Sequence, residues 1–285
     1  MDNKEQMEQI EPTEQVLRQP YEQSLEFAIK AALGNLFLWF ILSSMLPYAI
    51  NFGSSAQRQV ADGILRGFLA ILAMRTLSKI IGANGFKFSF TTKGFKKGMI
   101  AHIPLVLSIL TLPVFILSLP DATLDVRSAI PSLAPRAIFD VGNAVWEEVL
   151  WRGVLMTGLL IKWGTSWNER ATVRKRVAFM LICSFAFGLI HFNGGILHVL
   201  FAAVTGTVFS AAYIYSRNLL ACSVVHIAVN YVVNFTLNMF YDIEPAMLFI
   251  HRFMSVHIII GVAIFIPITI YLTIKAEPFS LEDIP

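Results

Sequence analysis

Two adjacent acids and one arginine lie inside an apolar segment that is predicted to span a membrane. Glu147, Glu148 and Arg152 follow one another in the run Asn143-Ala-Val-Trp-Glu-Glu-Val-Leu-Trp-Arg. A charge at the centre of a bilayer costs about 2.5–3.5 kcal/mol on insertion scales, so each needs a partner or a function. Glu148 and Arg152 share a helix face at a spacing of four residues, which predicts a structural ion pair. Glu147 points about 100° away from Glu148 and remains free to react.

Two further apolar segments carry imidazole groups. His191 lies one helical turn after Phe187, and His226 lies one turn before Asn230. A carboxylate and an imidazole can hold a water molecule and remove its proton, so we expect Glu147 and His191 to activate water. A second imidazole and an amide can donate hydrogen bonds to an oxyanion, and we assign that role to His226 and Asn230. Together these groups would hydrolyse an amide bond.

The composition is that of a membrane protein. Of the 285 residues, 56% are hydrophobic and 14% are charged, with a mean hydropathy of +0.65. Soluble domains carry roughly 25% charged residues. The net charge of +3 is too small and too dispersed to indicate nucleic-acid binding.

The predicted fold class is all-α, a polytopic membrane protein with about eight transmembrane helices that enclose a polar catalytic cavity. Basic residues interrupt the second segment, and an Asn-Gly-Gly turn at 193–195 closes the fifth. The eight segments run approximately over Ala28–Ile50, Val60–Ile81, Gly98–Leu119, Ala137–Trp163, Val177–Phe192, Ile196–Tyr215, Leu219–Phe240 and His251–Ile274.

The expected organisation is one membrane domain over residues 28–275, with its catalytic core at about 137–240. A polar N-terminal tail (residues 1–27) and a short C-terminal tail (residues 276–285) flank it. Lysines and arginines cluster between the second and third segments and between the fourth and fifth. The positive-inside rule places these loops, and with them both termini, in the cytoplasm.

The three motifs resemble those of the CPBP (Abi) intramembrane proteases, which include the type II CAAX prenyl endopeptidases. The motifs are Glu147-Glu148-x-x-x-Arg152, Phe187-x-x-x-His191 and His226-x-x-x-Asn230, in that order on separate segments. The resemblance covers roughly residues 140–231. It implies an eight-helix intramembrane endopeptidase in which Glu147 and His191 activate water. It also implies that His226 and Asn230 stabilise the oxyanion, with Glu148, Arg152 and Phe187 in supporting roles.

Zinc is the alternative to a metal-free glutamate mechanism, because Glu147, His191 and His226 could supply three ligands and leave an open position. We expect no cofactor, since Asn230 is a poor zinc ligand and no His-Glu-x-x-His motif is present. A cysteine protease using Cys222 and His226 is a second alternative. Non-enzymatic alternatives are a membrane regulator or immunity protein and a proton-coupled transporter that uses the same buried polar residues.

The expected activity is hydrolysis of a peptide bond near the cytoplasmic membrane surface, in a CAAX-type or related membrane peptide. The expected partners are a peptide or protein substrate, which a lipid group could modify, and membrane lipid. The host membrane would be a bacterial cell membrane or, in a eukaryote, the endoplasmic reticulum. The sequence does not specify the oligomeric state.

Overall fold

The computed structural model describes residues 11–49, 54–119, 123–163, 170–240 and 242–276, and over these residues the protein consists of helices joined by short turns, with no β-strand. The predicted C-terminal tail lies outside these residues apart from residue 276, and so do the first ten residues of the predicted N-terminal tail. The α-helices are α1 (Glu11–Ala49), α2 (Ser55–Ile81), α3 (Gly85–Ser89), α4 (Phe95–Ala101), α5 (Ile103–Ile109), α6 (Leu112–Leu117), α7 (Val126–Ala129), α8 (Leu133–Glu148), α9 (Thr157–Trp163), α10 (Arg170–Leu189), α11 (Gly195–Ser216), α12 (Leu219–Asn238), α13 (Ile243–Ile260) and α14 (Ile266–Lys275).

Two π-helical segments join neighbouring α-helices into longer units. Val149–Met156 connects α8 to α9, and Gly261–Phe265 connects α13 to α14. The first begins directly after the two adjacent glutamates and contains Arg152. Such segments often occur at functional sites, because they change which face of a helix its side chains present.

Four stretches of the described residues are long and apolar enough to cross a membrane. They are Glu26–Met45, Phe192–Ser216, Leu219–Asn238 and Glu244–Lys275. A fifth span results if the pair Phe95–Ala101 and Ile103–Leu117, bent by 51°, crosses as one unit. The helices that carry the second, fourth and fifth predicted segments do not qualify; α2 and the unit from α8 to α9 are interrupted by charged residues. The eight-span arrangement therefore stays a prediction.

The outward surface of the helices is apolar. Large hydrophobic side chains are highly exposed on several helices, including Phe37 (64%), Ile182 (61%) and Ile259 (67%). A water-soluble protein rarely leaves so many large apolar groups uncovered, whereas a lipid bilayer covers them.

Close approach of two glycines sets the packing of α2 on α8, the most extensive helix contact in the fold. A Cβ atom at Gly63 would lie 2.7 Å from the carbonyl oxygen of Ile138, and one at Gly142 would collide with the carbonyl of Gly63. Only residues without a side chain allow the backbones to come this near. The contact brings Arg66, one turn after Gly63, beside the acidic part of α8.

One end of the helix bundle, called the basic end below, carries the connections that are rich in lysine and arginine. At the basic end, Asn218 donates hydrogen bonds to the carbonyls of Thr91 and Lys93, next to most of the lysines and arginines between α2 and α4. At the opposite end, the backbone of Asp125 donates to Met239 over 2.7 Å. Residues 190–195 also lie at that end, because they connect the end of α10 to the start of α11.

Candidate active site

A cavity of about 380 Å³ lies between the middle of the bundle and the end opposite the basic loops. Six of the helices that span the bundle contribute to it, and its polar wall combines one carboxylate, two guanidinium groups, two imidazoles and three amides. The polar lining residues are Arg66, Arg136, Asn143, Glu147, His191, His198, Asn230 and Asn234. Glu147, His191 and Asn230, which the sequence assigned to a site, thus face one cavity.

Glu147 lines this cavity while its side chain is almost fully buried. Its Oε1 lies 3.9 Å from Nη1 of Arg66. Its Oε2 makes no hydrogen bond with any described residue, and Nε2 of His226 lies 3.6 Å from that oxygen. The Glu147 carboxylate thus retains lone pairs that no hydrogen bond to a described residue occupies.

Glu148 belongs to a separate, fully enclosed ion-pair network. Its Oε1 accepts hydrogen bonds from Nη1 of Arg152 over 3.2 Å and from Nδ1 of His226 over 2.8 Å. Arg152 also donates to the carbonyl of Gly206 over 3.2 Å. The i, i+4 pair that the sequence predicted is present, and it also fixes the orientation of His226.

His226 is not part of the cavity wall but lies directly behind Glu147. Its ring stacks on Phe209 at 4.9 Å, and its two nitrogens point at the two adjacent glutamates. The packing of α12 on α8 therefore brings His226 to the same depth as the two glutamates.

His191 lies two residues after the end of α10, where its Nδ1 bonds to the carbonyl of Phe187 over 2.9 Å. Since a carbonyl only accepts, Nδ1 carries the proton and Nε2 of the neutral ring keeps a lone pair. Phe187 is buried; its ring lies 4.8 Å from the His191 ring and 4.7 Å from the guanidinium carbon of Arg152. Phe187 therefore holds His191 and the ion-pair network in one arrangement.

Three asparagines, at positions 230, 234 and 238, lie on one face of α12, and this face points towards protein and cavity. Lipid could not satisfy their amide groups. Asn230 and Asn234 line the cavity, and Asn238 donates to Ser132 at the end of the bundle. Asn234 also approaches Asp140 at 3.5 Å.

Arg66 is a site residue that the sequence interpretation treated only as an interruption of the second segment. Its guanidinium carbon lies 5.0–5.3 Å from three aromatic rings, those of Trp39, Phe139 and Trp146. It also pairs with Asp62 over 3.2 Å and donates to Asn143. An arginine within an apolar run was a usable signal, because such a charge has to find a partner on another helix.

His198 is a second addition. His198 belongs to none of the three motifs, but its ring lines the cavity 5.1 Å from the ring of His191. Its proximity depends on the turn at 193–195, where Gly195 adopts a φ of 80° that favours glycine. Cys222, by contrast, is buried and directs its thiol to the carbonyl of Phe209 over 3.8 Å.

Glu147, His191 and His226 are the residues that the zinc alternative requires as ligands. Among the residues that the structure describes, no three side chains of the His, Cys, Asp or Glu type are grouped as metal ligands would be.

The fold and the site define a class: an integral membrane protein of α-helices with a buried acid–base cluster at a polar cavity. Residues 131–232 match the family described as type II CAAX prenyl endopeptidase Rce1-like. The match contains all three motifs, so the family resemblance that they predicted is confirmed over this part of the chain. Searches of curated proteins and of solved structures gave no significant match.

Proposed function

We propose that the protein is an intramembrane endopeptidase that hydrolyses a peptide bond with a water molecule held between Glu147 and His191. The observation that carries the proposal is that both side chains face one cavity while Oε2 of Glu147 has no hydrogen-bond partner among the described residues. The match of residues 131–232 to an endopeptidase family supports the same class of reaction.

The hydrogen bond from His191 to Phe187 supports a role for His191 in holding the water. Because Nδ1 is occupied, Nε2 offers its lone pair to one proton of the water. As the water oxygen attacks the substrate carbonyl, its other proton passes to the carboxylate of Glu147. In the second half of the reaction, Glu147 returns this proton to the leaving amine as the carbon–nitrogen bond breaks.

We assign stabilisation of the oxyanion to the side-chain amide of Asn230, which lines the cavity, together with Nε2 of His226, which lies beside Glu147 at 3.6 Å from its Oε2. The hydrogen bond between Nδ1 of His226 and Glu148, and the ion pair of Glu148 with Arg152, fix the orientation of the His226 ring behind the cavity.

The expected cytoplasmic location of the termini and the expected cleavage near the cytoplasmic surface cannot both hold. Cytoplasmic termini put the basic loops in the cytoplasm, but the cavity extends towards the opposite end of the bundle. Cleavage next to the cytoplasmic surface is therefore incompatible with that orientation. We keep the orientation, which the distribution of lysine and arginine favours, and propose that substrates reach the cavity from the opposite surface or from within the bilayer.

The decisive experiment is cleavage of a peptide that ends in a cysteine and three aliphatic residues, with and without a farnesyl group on the cysteine, by the reconstituted protein. Glu147→Gln should lower kcat by about 10²–10⁴-fold. Glu244→Gln, an exposed glutamate on α13, is the matched control and should cleave like the wild type. Equal cleavage by Glu147→Gln and the wild type would overturn the mechanism.

The same assay separates the alternatives. A regulator or a transporter would show no cleavage by the wild-type protein, whatever the state of Glu147. Incubation of the purified protein with a chelator should leave the rate unchanged if no metal takes part, whereas a rate that falls and returns on addition of zinc would support the zinc alternative.

A further inference from the structure

Arg66 is a cation of the cavity wall that has no role in the proposed reaction so far. It lies on α2, lines the cavity, and has a side chain that is only 11% exposed. Its Nη1 lies 3.9 Å from Oε1 of Glu147. A charge so close to a carboxylate in a poorly hydrated site affects every step that changes the charge of that carboxylate. Arg66 therefore influences a reaction in which Glu147 accepts a proton.

The guanidinium of Arg66 is held by polar and aromatic neighbours. Its Nε donates to Asp62 over 3.2 Å, and its Nη1 donates to Asn143. Its guanidinium carbon also lies 5.0–5.3 Å from three aromatic rings, those of Trp39, Phe139 and Trp146. Aromatic faces attract a cation, so the rings restrain it together with the hydrogen bonds. The charge thus has a fixed position, as preorganised stabilisation of a transition state requires.

One edge of this guanidinium remains for a ligand. Nη2 of Arg66 makes no hydrogen bond with any described residue, and it is not enclosed by them. Both of its N–H groups can therefore donate to an atom in the cavity. A hydrogen bond from a charged donor is about twice as strong as one between neutral groups. Arg66 is in this respect a stronger donor than the amide of Asn230, which lines the same cavity.

The movement of charge in the reaction suits this position. When water attacks, its oxygen bonds to the substrate carbon, one of its protons passes to Glu147, and an electron pair of the carbonyl moves onto the carbonyl oxygen. Negative charge thus leaves the carboxylate as it appears on the oxyanion. A cation that paired with the carboxylate alone would oppose this proton transfer. A cation that reaches both groups keeps an anionic partner throughout the step.

We propose that Arg66 is a further catalytic residue, whose Nη2 donates to the oxyanion while its Nη1 stays beside Glu147. The proposal rests on the proposed endopeptidase function, because only an attacked carbonyl carries this negative charge. When the intermediate collapses, the electron pair re-forms the carbonyl, the carbon–nitrogen bond breaks, and Glu147 gives its proton to the amine. Arg66 then has the restored carboxylate as its partner.

A purely structural ion pair is the alternative. Asp62 precedes Arg66 by four residues on one helix, and such a pair can serve only to accommodate a charge in an apolar segment. The two roles differ in what they stabilise. A structural pair acts equally with and without a reacting substrate, whereas a donor to the oxyanion acts only when the tetrahedral anion is present.

The first measurement is cleavage of the farnesylated peptide by the reconstituted protein. Values of kcat and KM are compared for the wild type, Arg66→Gln, Arg66→Lys and Arg58→Gln. Arg58 is an exposed arginine on the same helix that does not line the cavity, and it serves as the matched control. The double variant Asp62→Asn/Arg66→Gln is included because it does not leave the Asp62 carboxylate without its partner.

The second measurement is binding to Glu147→Gln, in which cleavage is slow. This substitution introduces a neutral amide, which imitates the carboxyl group after it has accepted the proton. The ligands are the farnesylated peptide itself and an analogue in which a phosphinate group replaces the amide that follows the cysteine. The phosphinate is tetrahedral and anionic, as the intermediate is, so the pair of ligands separates binding of the intermediate from binding of the substrate.

Arg66→Gln, alone and with Asp62→Asn, should lower kcat by about 10²–10³-fold, which is the effect of removing one oxyanion donor, and leave KM within about threefold. Added to Glu147→Gln, it should weaken binding of the phosphinate at least about tenfold and binding of the peptide by less than about threefold. Arg66→Lys should recover part of kcat, because it keeps the charge. Arg58→Gln should behave as the wild type.

A kcat of Arg66→Gln within about threefold of the wild type would overturn the role of Arg66 and leave the endopeptidase intact. Equal weakening of peptide and phosphinate binding would also overturn it, in favour of the structural ion pair. Absence of cleavage by the wild type would overturn the endopeptidase and this inference with it.

Discussion

The imidazole of His226 donates from Nδ1 to Glu148 over 2.8 Å. This contact joins α12 to α8 at the level of the ion pair with Arg152. As a result, only Nε2 of His226 remains for chemistry, and it points at Glu147. The two adjacent glutamates thus differ in their hydrogen bonds: Oε1 of Glu148 accepts from Arg152 and His226, whereas Oε2 of Glu147 has no hydrogen-bond partner among the described residues.

The ion pair between Glu148 and Arg152 should be essential for stability. In Arg152→Met, Glu148 becomes a buried charge that only His226 balances, which should destabilise the protein by about 3–5 kcal/mol. Thermal unfolding in detergent measures the effect, and Arg252→Met, which removes an exposed arginine bonded to the Ser118 carbonyl, is the control. The double variant Glu148→Gln/Arg152→Met should recover part of the loss. A loss no larger than that of Arg252→Met would contradict the role assigned to the pair.

The glycine contact between α2 and α8 should be required for activity. Gly142→Ala introduces a methyl group against the carbonyl of Gly63, so the helices must separate and Arg66 must move away from Glu147. We expect a lower unfolding temperature together with at least a tenfold lower kcat, since a misplacement of about 1 Å can cost about 10²-fold. Gly67→Ala, which lies on α2 like Gly63 but has open space around it, should be as active as the wild type. Equal behaviour of both variants would show that the close approach is not needed.

The orientation of the bundle can be measured with single cysteines. Lys87→Cys reports on the basic end and Asn193→Cys on the end towards which the cavity extends; both positions are exposed. In intact cells, a membrane-impermeant maleimide should label Asn193→Cys directly and Lys87→Cys only after permeabilisation. The native Cys183 and Cys222 are buried and give little background. The reverse labelling pattern would restore cleavage at the cytoplasmic surface and exclude cytoplasmic termini.

Cys222 should be dispensable for catalysis. Its thiol is fully buried and directed at the Phe209 carbonyl, so it is not placed as a nucleophile facing the cavity. Cys222→Ala should retain kcat within about twofold and lose about 1 kcal/mol of stability from the removed sulfur. Peptide cleavage together with thermal unfolding tests this expectation. A complete loss of cleavage in a variant that unfolds like the wild type would revive the cysteine mechanism.

The sequence by itself determined which residues bear a charge and which of them can form an ion pair with a neighbour on the same helix. Helical periodicity relates residues within about two turns, and it was sufficient to pair Glu148 with Arg152 and to keep Glu147 out of that pair. It did not predict that Arg66 of α2 lies 3.9 Å from Glu147. Periodicity also placed His226 and Asn230 one turn apart on the same segment. The three motifs were enough to predict the family over residues 131–232.

Only the tertiary structure decided which groups from different helices meet. Arg66 reaches Glu147 because two glycines let α2 approach α8, and His198 reaches His191 through a turn at a glycine with positive φ. Contacts of this kind depend on the distance and the angle between packed helices. The spacing of residues along a single helix does not specify either quantity. The position of the cavity relative to the basic loops is a property of the whole bundle for the same reason.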